Sequence, residues 1–457
     1  MPTPRPRYDV VVCGAGIAGI SAAHALSEAG VKRIALVEHG PVLGLTSDKS
    51  GECYRNWWPG PGDAMVAFTS RSIDLLEGHA RRSGNRFLMN KRGYLYATAR
   101  RETVDVFERQ ALEAESLGAG KLRHVASPVG YEPARPTGFG GVLDGADLVT
   151  DRSVIREHFG YLNADTVAVL HARRCGWLSA QQLGMHLLEE ARGRGVELVV
   201  AEFIGAETSG GRISGVQLRA GESQFVVATD ALVLASGPYV KSTAARLGAT
   251  LPVVVEKHVK ITMADPLGAV PRSAPLIIWC DPTELPWSAE EREALASDAA
   301  MRRLLAPFPA GVHGRPIGSG DQVFMYWTYD CPQADHPTFP LSWDPHLPEI
   351  TLRGMSVLVP GLAAYLDPMP KPYVDGGYYT KTPENRPLIG PLPVPGAFVS
   401  SAYSGFGIMS SCAGGELVAR HVTGGTLPSY AAALSPSRYE DPAYRKLLET
   451  WDSSGQL

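Results

Sequence analysis

Three glycines near the N-terminus have the spacing of a backbone turn that holds phosphate groups. They lie in Gly14-Ala-Gly16-Ile-Ala-Gly19, a G-x-G-x-x-G motif. In this motif the first glycine permits a tight turn, the second lets the backbone approach a pyrophosphate, and the third allows a helix to pack closely on a strand. Glu38 follows where a pair of ribose hydroxyls would need an acceptor. The sequence therefore predicts dinucleotide binding by Gly14, Ala15, Gly16, Ile17, Ala18, Gly19 and Glu38.

The segments on either side of this turn have the composition of the elements that must position it. Asp9-Val-Val-Val-Cys13 is an apolar, β-branched run that predicts a strand buried on both faces. A helix of small residues should run from the turn to about Ala29, and its N-terminal N–H groups and dipole favour phosphates. Residues 33–38 predict a second buried strand that ends in the Glu38 carboxylate. This strand–helix–strand context makes the motif far more specific than the glycines alone.

The composition describes an ordinary globular protein and excludes several classes of partner. The 457 residues suggest two or three domains, and 44% are hydrophobic while 20% are charged. A net charge of −4 gives no basic field for nucleic acid or an anionic membrane. No apolar run reaches the roughly 18 residues of a membrane span, and the N-terminus resembles no signal peptide. The six cysteines form no CxxC pair, which indicates reduced thiols in a cytoplasmic protein and no metal site.

Three short β segments in the middle of the chain help to decide whether the expected dinucleotide is FAD or NAD. Residues 202–207, 212–218 and 224–228 are separated by Ser-Gly-Gly and Ala-Gly-Glu turns and lead to the apolar run 231–235. A pyridine-nucleotide dehydrogenase normally connects such strands with a helix. A three-stranded meander resembles the FAD domains of the glutathione-reductase type. The expected cofactor is therefore FAD rather than NAD.

The last third of the chain contains the most specific motifs. Thr382-Pro-Glu-Asn-Arg-Pro-Leu-Ile-Gly390 is followed by a strand, by Ser404-Gly-Phe-Gly407 and by a helix of small residues. This order resembles the closing signature of the D-amino-acid oxidase and sarcosine oxidase superfamily, flavoenzymes that oxidise C–N bonds. The resemblance covers the whole chain. It implies an α/β protein in which a glutathione-reductase-type, Rossmann-like FAD domain (residues 1–84, 151–250 and 372–457) adjoins a mixed β-sheet substrate domain (residues 85–150 and 251–371). Residues 124–150 are rich in Pro and Gly and predict a surface loop.

The resemblance also implies which further residues contact the flavin. We expect His39 beside Glu38 at the adenosine, Ile204 to use its backbone at the adenine, and a helix start at the pyrimidine end, where the reduced flavin carries negative charge. Family members attach flavin through a Cys where Gly377 stands here or through a His in a loop that corresponds to residues 46–51, which contain none. Non-covalent FAD is therefore expected. The additional contacts are assigned to Thr46, Ser47, Ser50, Ser236, Gly237, Gly405, Phe406, Gly407, Ile408 and Met409.

The catalytic residues are expected on a strand and its aromatic surroundings. In residues 251–263, alternation places His258 and Lys260 on one face and Lys257 on the other. His258 matches a position that faces the flavin in related enzymes, and Arg55 is the arginine at the right distance from the loop. Met409 and about Gln322 replace two lysines of the family, which disfavours an ordinary α-amino acid and fast use of oxygen. The candidate catalytic residues are His258, Arg55, Lys260, Tyr326 and Tyr379.

The resemblance predicts oxidation of an amine or amino-acid C–N bond by hydride transfer to flavin N5, giving an imine that hydrolyses, with oxygen as the expected acceptor. The aromatic residues favour an apolar or aromatic substrate. Two alternatives stay open. One is an FAD-dependent dehydrogenase of an amine or a hydroxy acid that uses another acceptor. The other is a catalytically silent flavoprotein that serves as a binding or assembly module.

Overall fold

The strands alternate with helices in the N-terminal half and dominate the middle of the chain. A computed structural model describes residues 4–58, 60–141 and 143–451. The strands found there are β1 Val10–Cys13, β2 Ile34–Glu38, β3 Cys53–Arg55, β4 Tyr94–Thr98, β5 Leu122–Val125, β6 Ala146–Val149, β7 Ala168–Ala172, β8 Cys175–Trp177, β9 Glu197–Val200, β10 Glu202–Ser209, β11 Arg212–Ala220, β12 Ser223–Ala228, β13 Leu232–Leu234, β14 Val254–Ala264, β15 Leu276–Trp279, β16 His313–Pro316, β17 Gln322–Tyr326, β18 Gln333–Ala334, β19 Tyr373–Lys381, β20 Leu388–Pro391 and β21 Ala397–Ser401.

The helices cover the first sheet and the outer side of the second. Those in the described part of the chain are α1 Ile17–Glu28, α2 Thr46–Lys49, α3 Ala64–Arg82, α4 Arg101–Ser116, α5 Arg152–Phe159, α6 Ala180–Gly193, α7 Val240–Ala245, α8 Ala289–Ser297, α9 Leu347–Leu358, α10 Gly407–Thr423, α11 Ala431–Leu434 and α12 Pro442–Leu448. None of these helices has the length and apolar character that a bilayer crossing requires.

A six-stranded sheet in the order β20-β21-β13-β1-β2-β9 carries the glycine turn. All neighbours pair in parallel except β20 with β21. Alternate residues of β1 point to opposite faces: Val10 and Val12 join the core beneath the helices, whereas Val11 and Cys13 join the core beneath the meander. The predicted strand buried on both faces is confirmed, because each face of the sheet is covered.

The meander predicted between the parallel strands is also confirmed. Strands β10, β11 and β12 form a separate antiparallel sheet that connects β9 to β13. Its residues Val216, Leu218 and Val227 are buried against the first sheet. The meander therefore replaces the crossover helix on that face.

A ten-stranded mixed sheet forms the second half of the structure. Its order is β18-β14-β17-β16-β15-β4-β7-β6-β5, and β19 also pairs with β14. Together the two sheets confirm the predicted α/β fold with a parallel cofactor sheet and a mixed second sheet. Strand β14 contacts three other strands, so its side chains are fixed from several directions.

The structure differs from the sequence-based expectation at two loops. The interval 124–150 was expected to lack regular structure, but β5 ends at its start and the buried strand β6 closes it. Alternation over residues 87–98 predicts a strand from residue 87, but the strand begins only at Tyr94, because Leu88 and Gly93 both have positive φ angles, 55° and 88°. Alternation in the sequence does not reveal such left-handed residues.

Two strands also pair in a sheet other than the one that the expected division into domains implies. Strands β7 and β19 lie in ranges assigned to the cofactor domain, yet both pair in the ten-stranded sheet. The sheet to which β7 and β19 belong is determined by their partner strands, β4 and β14, which lie far from them in the sequence. The division into domains remains a prediction, and its ends at residues 1–3 and 452–457 lie outside the described residues.

A buried ion pair attaches the C-terminal segment to the motif Thr382-Pro-Glu-Asn-Arg. The Glu384 carboxylate accepts hydrogen bonds from Arg438 Nε at 2.8 Å and Nη2 at 2.6 Å, and from the hydroxyls of Tyr439 and Tyr444 at 2.8 and 2.9 Å. Both charged side chains are almost fully buried. The acid of this motif therefore has a structural role in this chain.

Replacing Glu384 with Gln should lower the free energy of unfolding by about 3–5 kcal/mol, because it leaves the Arg438 guanidinium buried without its counter-charge. Chemical denaturation of the purified protein measures this. Glu189→Gln, which breaks the exposed pair with Arg86, is the control and should cost at most about 1 kcal/mol. Equal losses in the two variants would contradict the assignment.

Candidate active site

An elongated cavity of about 510 Å³ opens at the carboxyl ends of the parallel strands. Cys13, Val37 and Ser401 at the ends of β1, β2 and β21 line it, together with the residues after β9 and β13. Ligands of open α/β sheets bind at this edge, where the strand order reverses. The cavity extends from Glu38 and Phe203 at one end to Tyr379 and Ile408 at the other.

Steric contacts explain why the turn at the head of this cavity requires glycine. Gly14 has a φ of 105°, and a Cβ atom there would lie 2.4 Å from the carbonyl oxygen of Ala235. A Cβ atom on Gly19 would lie 1.8 Å from the carbonyl oxygen of Gly14. Ser47 Oγ accepts a hydrogen bond from the backbone N–H of Ile17 at 3.0 Å. The start of α1 is therefore held against α2, and residues of the turn line the cavity.

Glu38 organises the same end of the cavity through backbone hydrogen bonds. Its carboxylate accepts N–H groups from Ala15 at 2.8 Å and from His39 and Gly40 at 2.9 Å. The side chain also lines the cavity. It fits the ribose of a dinucleotide and at the same time fixes the glycine turn to the end of β2.

Most residues assigned to the cofactor line this cavity: Gly14, Gly16, Ile17, Ala18, Glu38, His39, Thr46, Ser47, Ser50, Ser236, Gly237, Gly405, Gly407 and Ile408. Five do not. Ala15 and Gly19 belong to the packing of the turn, and Phe203, rather than its neighbour Ile204, lines the wall. Phe406 and Met409 face a second cavity instead. The phosphate-binding turn, the ribose acceptor and the helix start at Gly407 together fit FAD.

The second cavity, of about 270 Å³, adjoins the first at the end lined by Tyr379 and Ile408. Ser50, Tyr379, Ser404, Gly405 and Ile408 line both. Gly405 has a φ of 88°, and a Cβ atom there would lie 2.5 Å from the ring of Tyr379. The absence of a side chain at Gly405 thus lets the two cavities meet beside Tyr379.

His258 is the centre of a buried hydrogen-bond network in the second cavity. Its Nε2 lies 2.8 Å from Glu256 Oε1, which also accepts a hydrogen bond from Lys381 Nζ at 2.7 Å. Its Nδ1 faces the hydroxyl of Tyr326 and lies 3.5 Å from Cys331 Sγ. The ring of Tyr379 stacks on the imidazole, with 3.9 Å between centroids.

The charges in this network have defined protonation states near neutral pH. Burial opposes ionisation of Glu256, but hydrogen bonds from His258 and Lys381 outweigh it and lower the carboxyl pKa to about 2. Burial lowers the pKa of His258 below 6.5, against the opposing effect of Glu256. A carboxylate at Nε2 fixes the proton there, so Nδ1 of the neutral ring carries the lone pair.

Two cations predicted from the sequence also face the second cavity. Arg55 is buried, with its guanidinium 4.4 Å from the centroid of Trp58 and Nη1 3.2 Å from the hydroxyl of Tyr96. Lys260 Nζ donates a hydrogen bond to the carbonyl of Ser50 at 2.9 Å, and burial lowers its pKa. Lys257 bonds to the carbonyl of Ser342 away from the cavity, as the alternation on β14 predicts.

Comparison with protein families identifies the chain. The family model DAO, described as FAD dependent oxidoreductase, matches residues 9–421. The chain belongs to this family. Its expected cofactor, FAD, is therefore confirmed at the level of the family.

Individual relatives are more distant. The chain is 27% identical over 237 residues to sarcosine oxidase subunit beta of Rhodobacter capsulatus, covering 51% of this chain and 53% of the relative. It is 24% identical over 225 residues to the subunit of the same name in Rhizobium meliloti, covering 48% and 50%. The chain thus matches about half the length of these curated relatives.

Solved structures show the same fold over almost the whole chain. L-proline dehydrogenase from P. horikoshii has a TM-score of 0.72 at 19% identity, covering 95% of this chain and 98% of that one. Glycine oxidase from Geobacillus kaustophilus has a TM-score of 0.70 at 19% identity, covering 95% and 99%. At this identity the likeness establishes the fold alone.

Sequence reasoning missed three residues of the hydrogen-bond network around His258, namely Glu256, Lys381 and Cys331. Glu256 shares the face of β14 with His258, so its position was available from the same alternation. Lys381 and Cys331 come from segments more than 70 residues further along the chain, brought in by the pairing of β14 with β19 and by the loop after β17. Conversely, Gln322 is absent from the cavity wall and its amide donates to Asp321 instead.

Replacing Glu38 with Lys should weaken FAD binding by about 2–4 kcal/mol, because it removes the ribose acceptor and three backbone hydrogen bonds. Titration of the apoprotein with FAD measures the dissociation constant. Glu222→Lys, in the exposed turn between β11 and β12, makes the same charge change outside the cavity. A loss of affinity no larger than in that control would contradict the role of Glu38.

Proposed function

We propose that this protein catalyses the FAD-dependent oxidation of a C–N bond in a small amine or amino acid, giving an imine that hydrolyses. The observation that carries the proposal is the junction of the two cavities at Tyr379 and Gly405, with the His258 network on the substrate side. FAD, bound non-covalently along the first cavity, supplies the electron-accepting group. The protein supplies position, charge and a place for one proton.

His258 is the base in this proposal. An ammonium substrate must lose a proton before the nitrogen lone pair can assist loss of hydride from the adjacent carbon. The neutral imidazole of His258 has its Nδ1 lone pair on the side of Tyr326, and Tyr326 lines the cavity. Glu256 stabilises the imidazolium that forms, because its carboxylate already lies 2.8 Å from Nε2.

The lining of the second cavity favours a substrate that carries a carboxylate and a modest apolar group. Arg55 and Lys260 provide positive charge, while Leu276, Ile278 and Phe324 provide an apolar wall. A cavity of about 270 Å³ suits a small molecule. The names of similar proteins, which include sarcosine oxidase and glycine oxidase, support an amino acid over a simple aromatic amine.

Oxygen is the acceptor that we propose for the second half of the cycle. With FAD bound in the first cavity, a cation beside it would stabilise the negative charge that develops during electron transfer to oxygen. Lys260 lies in the cavity wall beside Ser50, a residue common to both cavities. A dehydrogenase with another acceptor remains the second candidate, since L-proline dehydrogenase has the same fold.

The proposal is tested by mixing the holoprotein anaerobically with a panel of amino acids, N-methyl amino acids, amines and hydroxy acids. Loss of the flavin absorbance with release of ammonia or an amine supports C–N oxidation. Bleaching by a hydroxy acid alone would show that the bond oxidised is C–O. No bleaching by any compound would favour a silent flavoprotein.

Replacing His258 with Asn should slow anaerobic flavin reduction by about 10²–10⁴-fold, because the base is lost. In the wild type the rate should rise with pH through the pKa of His258, which lies below 6.5, since only the neutral ring accepts a proton. Glu256→Gln removes the interaction that raises this pKa, so the rise should move to lower pH while the plateau falls. Stopped-flow absorbance over a pH series measures both effects.

Lys257→Met is the control, because Lys257 lies on the opposite face of β14 and should leave the profile unchanged. A plateau in Glu256→Gln equal to that of the wild type would contradict the role of the pair.

Lys260→Met should slow reoxidation of the reduced protein by oxygen about 10- to 100-fold, because the cation near the flavin end of the cavity is removed. Stopped-flow mixing of reduced protein with oxygenated buffer measures the rate constant, and Lys257→Met again serves as the control. A wild type that barely reoxidises in air would show that oxygen is not the acceptor.

A further inference from the structure

A second cluster of titratable side chains lies outside both cavities, where α1, α3 and α6 meet. It contains His24 from α1, His79 from α3, and His186 and Glu190 from α6. The three histidines are only 4%, 4% and 7% exposed. Their rings form a chain of contacts, with 5.1 Å between the centroids of His24 and His79 and 5.7 Å between those of His79 and His186.

The Glu190 carboxylate lies among the ring nitrogens. Its Oε2 is 2.8 Å from His24 Nε2 and 3.9 Å from His79 Nδ1, and its Oε1 is 3.6 Å from His186 Nε2. Donor atoms of His24, His79 and Glu190 all lie within 4.8 Å of one another. Around a tetrahedral ion with bonds of about 2.0–2.1 Å, neighbouring donor atoms are about 3.3 Å apart. His24, His79 and Glu190 are therefore close enough to share one ion, whereas His186, whose Nε2 is 3.6 Å from Glu190 Oε1, has to rotate toward that ion to become the fourth ligand.

The hydrogen bonds around the cluster leave one of its ring nitrogens unsatisfied. His186 Nε2 is buried and has no hydrogen-bond partner among the described residues. His24 Nε2 has both Glu190 Oε2 at 2.8 Å and the guanidinium of Arg194 at 3.2 Å. A single ring nitrogen cannot donate to the carboxylate and accept from the guanidinium at once. The unpaired buried nitrogen of His186 indicates a missing partner.

We propose that His24, His79, His186 and Glu190 bind a divalent transition-metal ion, best matched by Zn²⁺. Three imidazoles and one carboxylate form a tetrahedral N₃O set, and imidazole selects zinc and its neighbours over magnesium and calcium. The site is independent of the flavin chemistry proposed above. It was invisible in the sequence because its ligands come from three helices and include no cysteine.

The surrounding charges permit such an ion. Glu28 lies 3.6 Å from His24 Nδ1, where it can orient that ring. Two cations oppose the ion: Arg82, 3.0 Å from His79 Nδ1, and Arg194. Both are exposed residues whose guanidinium groups can turn to solvent.

The ion would connect the far end of α1 to α3 and α6. Helix α1 begins at the glycine turn, so a metal at His24 would fix the element that presents the phosphate-binding N–H groups. A cavity of about 250 Å³ bordered by His24, Glu28 and His79 provides space for entry. Binding free energy at such a site adds to the stability of the fold.

Glu256, His258 and Cys331 are also mutually close, but that group belongs to the active site. The Lys381 ammonium lies 2.7 Å from the Glu256 carboxylate and so occupies the position that a metal ion bound to this carboxylate would need. The two clusters differ in one measurable property, because a metal at Cys331 would have a sulfur ligand.

The test uses tag-free holoprotein that has been treated with a chelator and then titrated with zinc chloride. We expect about one zinc per chain by elemental analysis and calorimetry, with a higher thermal midpoint in the loaded protein. X-ray absorption at the zinc edge should show nitrogen and oxygen ligands only. Absence of stoichiometric binding, or sulfur in the ligand shell, would overturn the proposal.

Variants assign the ligands. His186→Ala and Glu190→Gln should each weaken zinc binding by about 100-fold or more, since loss of mere hydrogen-bond partners of ligands already costs about 10–100-fold. His421→Ala is the matched control, because its Nε2 is another buried nitrogen without a hydrogen bond but lies on α10 outside the cluster. Unchanged zinc affinity in Glu190→Gln, which preserves side-chain volume, or an equal loss in His421→Ala, would refute the site.

Discussion

The carboxylate of Glu38 is the interaction on which the cofactor half of the structure depends. It accepts backbone N–H groups from the glycine turn and from the loop after β2. Three charge-assisted hydrogen bonds to one side chain join these two segments, in addition to backbone bonds between them such as that from Leu43 N–H to the carbonyl of Ala15. Since α1 starts at this turn, the direction of its N-terminus, the end of a helix that favours anions, follows from the same contact.

The second cavity depends on a different balance, that between the cost of burying charged groups and the stabilisation they gain by pairing with one another. Glu256, His258 and Lys381 lose water when β14 and β19 pair, and each would be unfavourable alone. Together they leave one ionised carboxylate, one ammonium and one neutral imidazole with a defined tautomer. The pairing that makes burial tolerable also fixes where a proton can be accepted.

The first and second cavities meet at Gly405, a residue without a side chain. Gly405 allows the ring of Tyr379 to stand against the chain just before α10, and the same ring stacks on His258. Tyr379 therefore touches the wall of both cavities. The position of His258 relative to the first cavity depends on this contact and on the adjacent backbone hydrogen bond, in which the N–H of Ser404 donates to the carbonyl of Thr380 at 2.9 Å.

The sequence by itself determined what local periodicity and steric rules control. The glycine spacing with Glu38, the meander and the alternation on β14 each act over a few residues, so they predicted the cofactor fold and the face that carries His258 and Lys260. Only the tertiary structure decided what depends on distant pairing: that β7 and β19 join the larger sheet, that Phe203 rather than Ile204 faces the cavity, and that Lys381 and Cys331 approach His258. The histidine cluster is the extreme case. His24, His79 and His186 lie on three separate helices, and only the packing of these helices brings their nitrogens around Glu190.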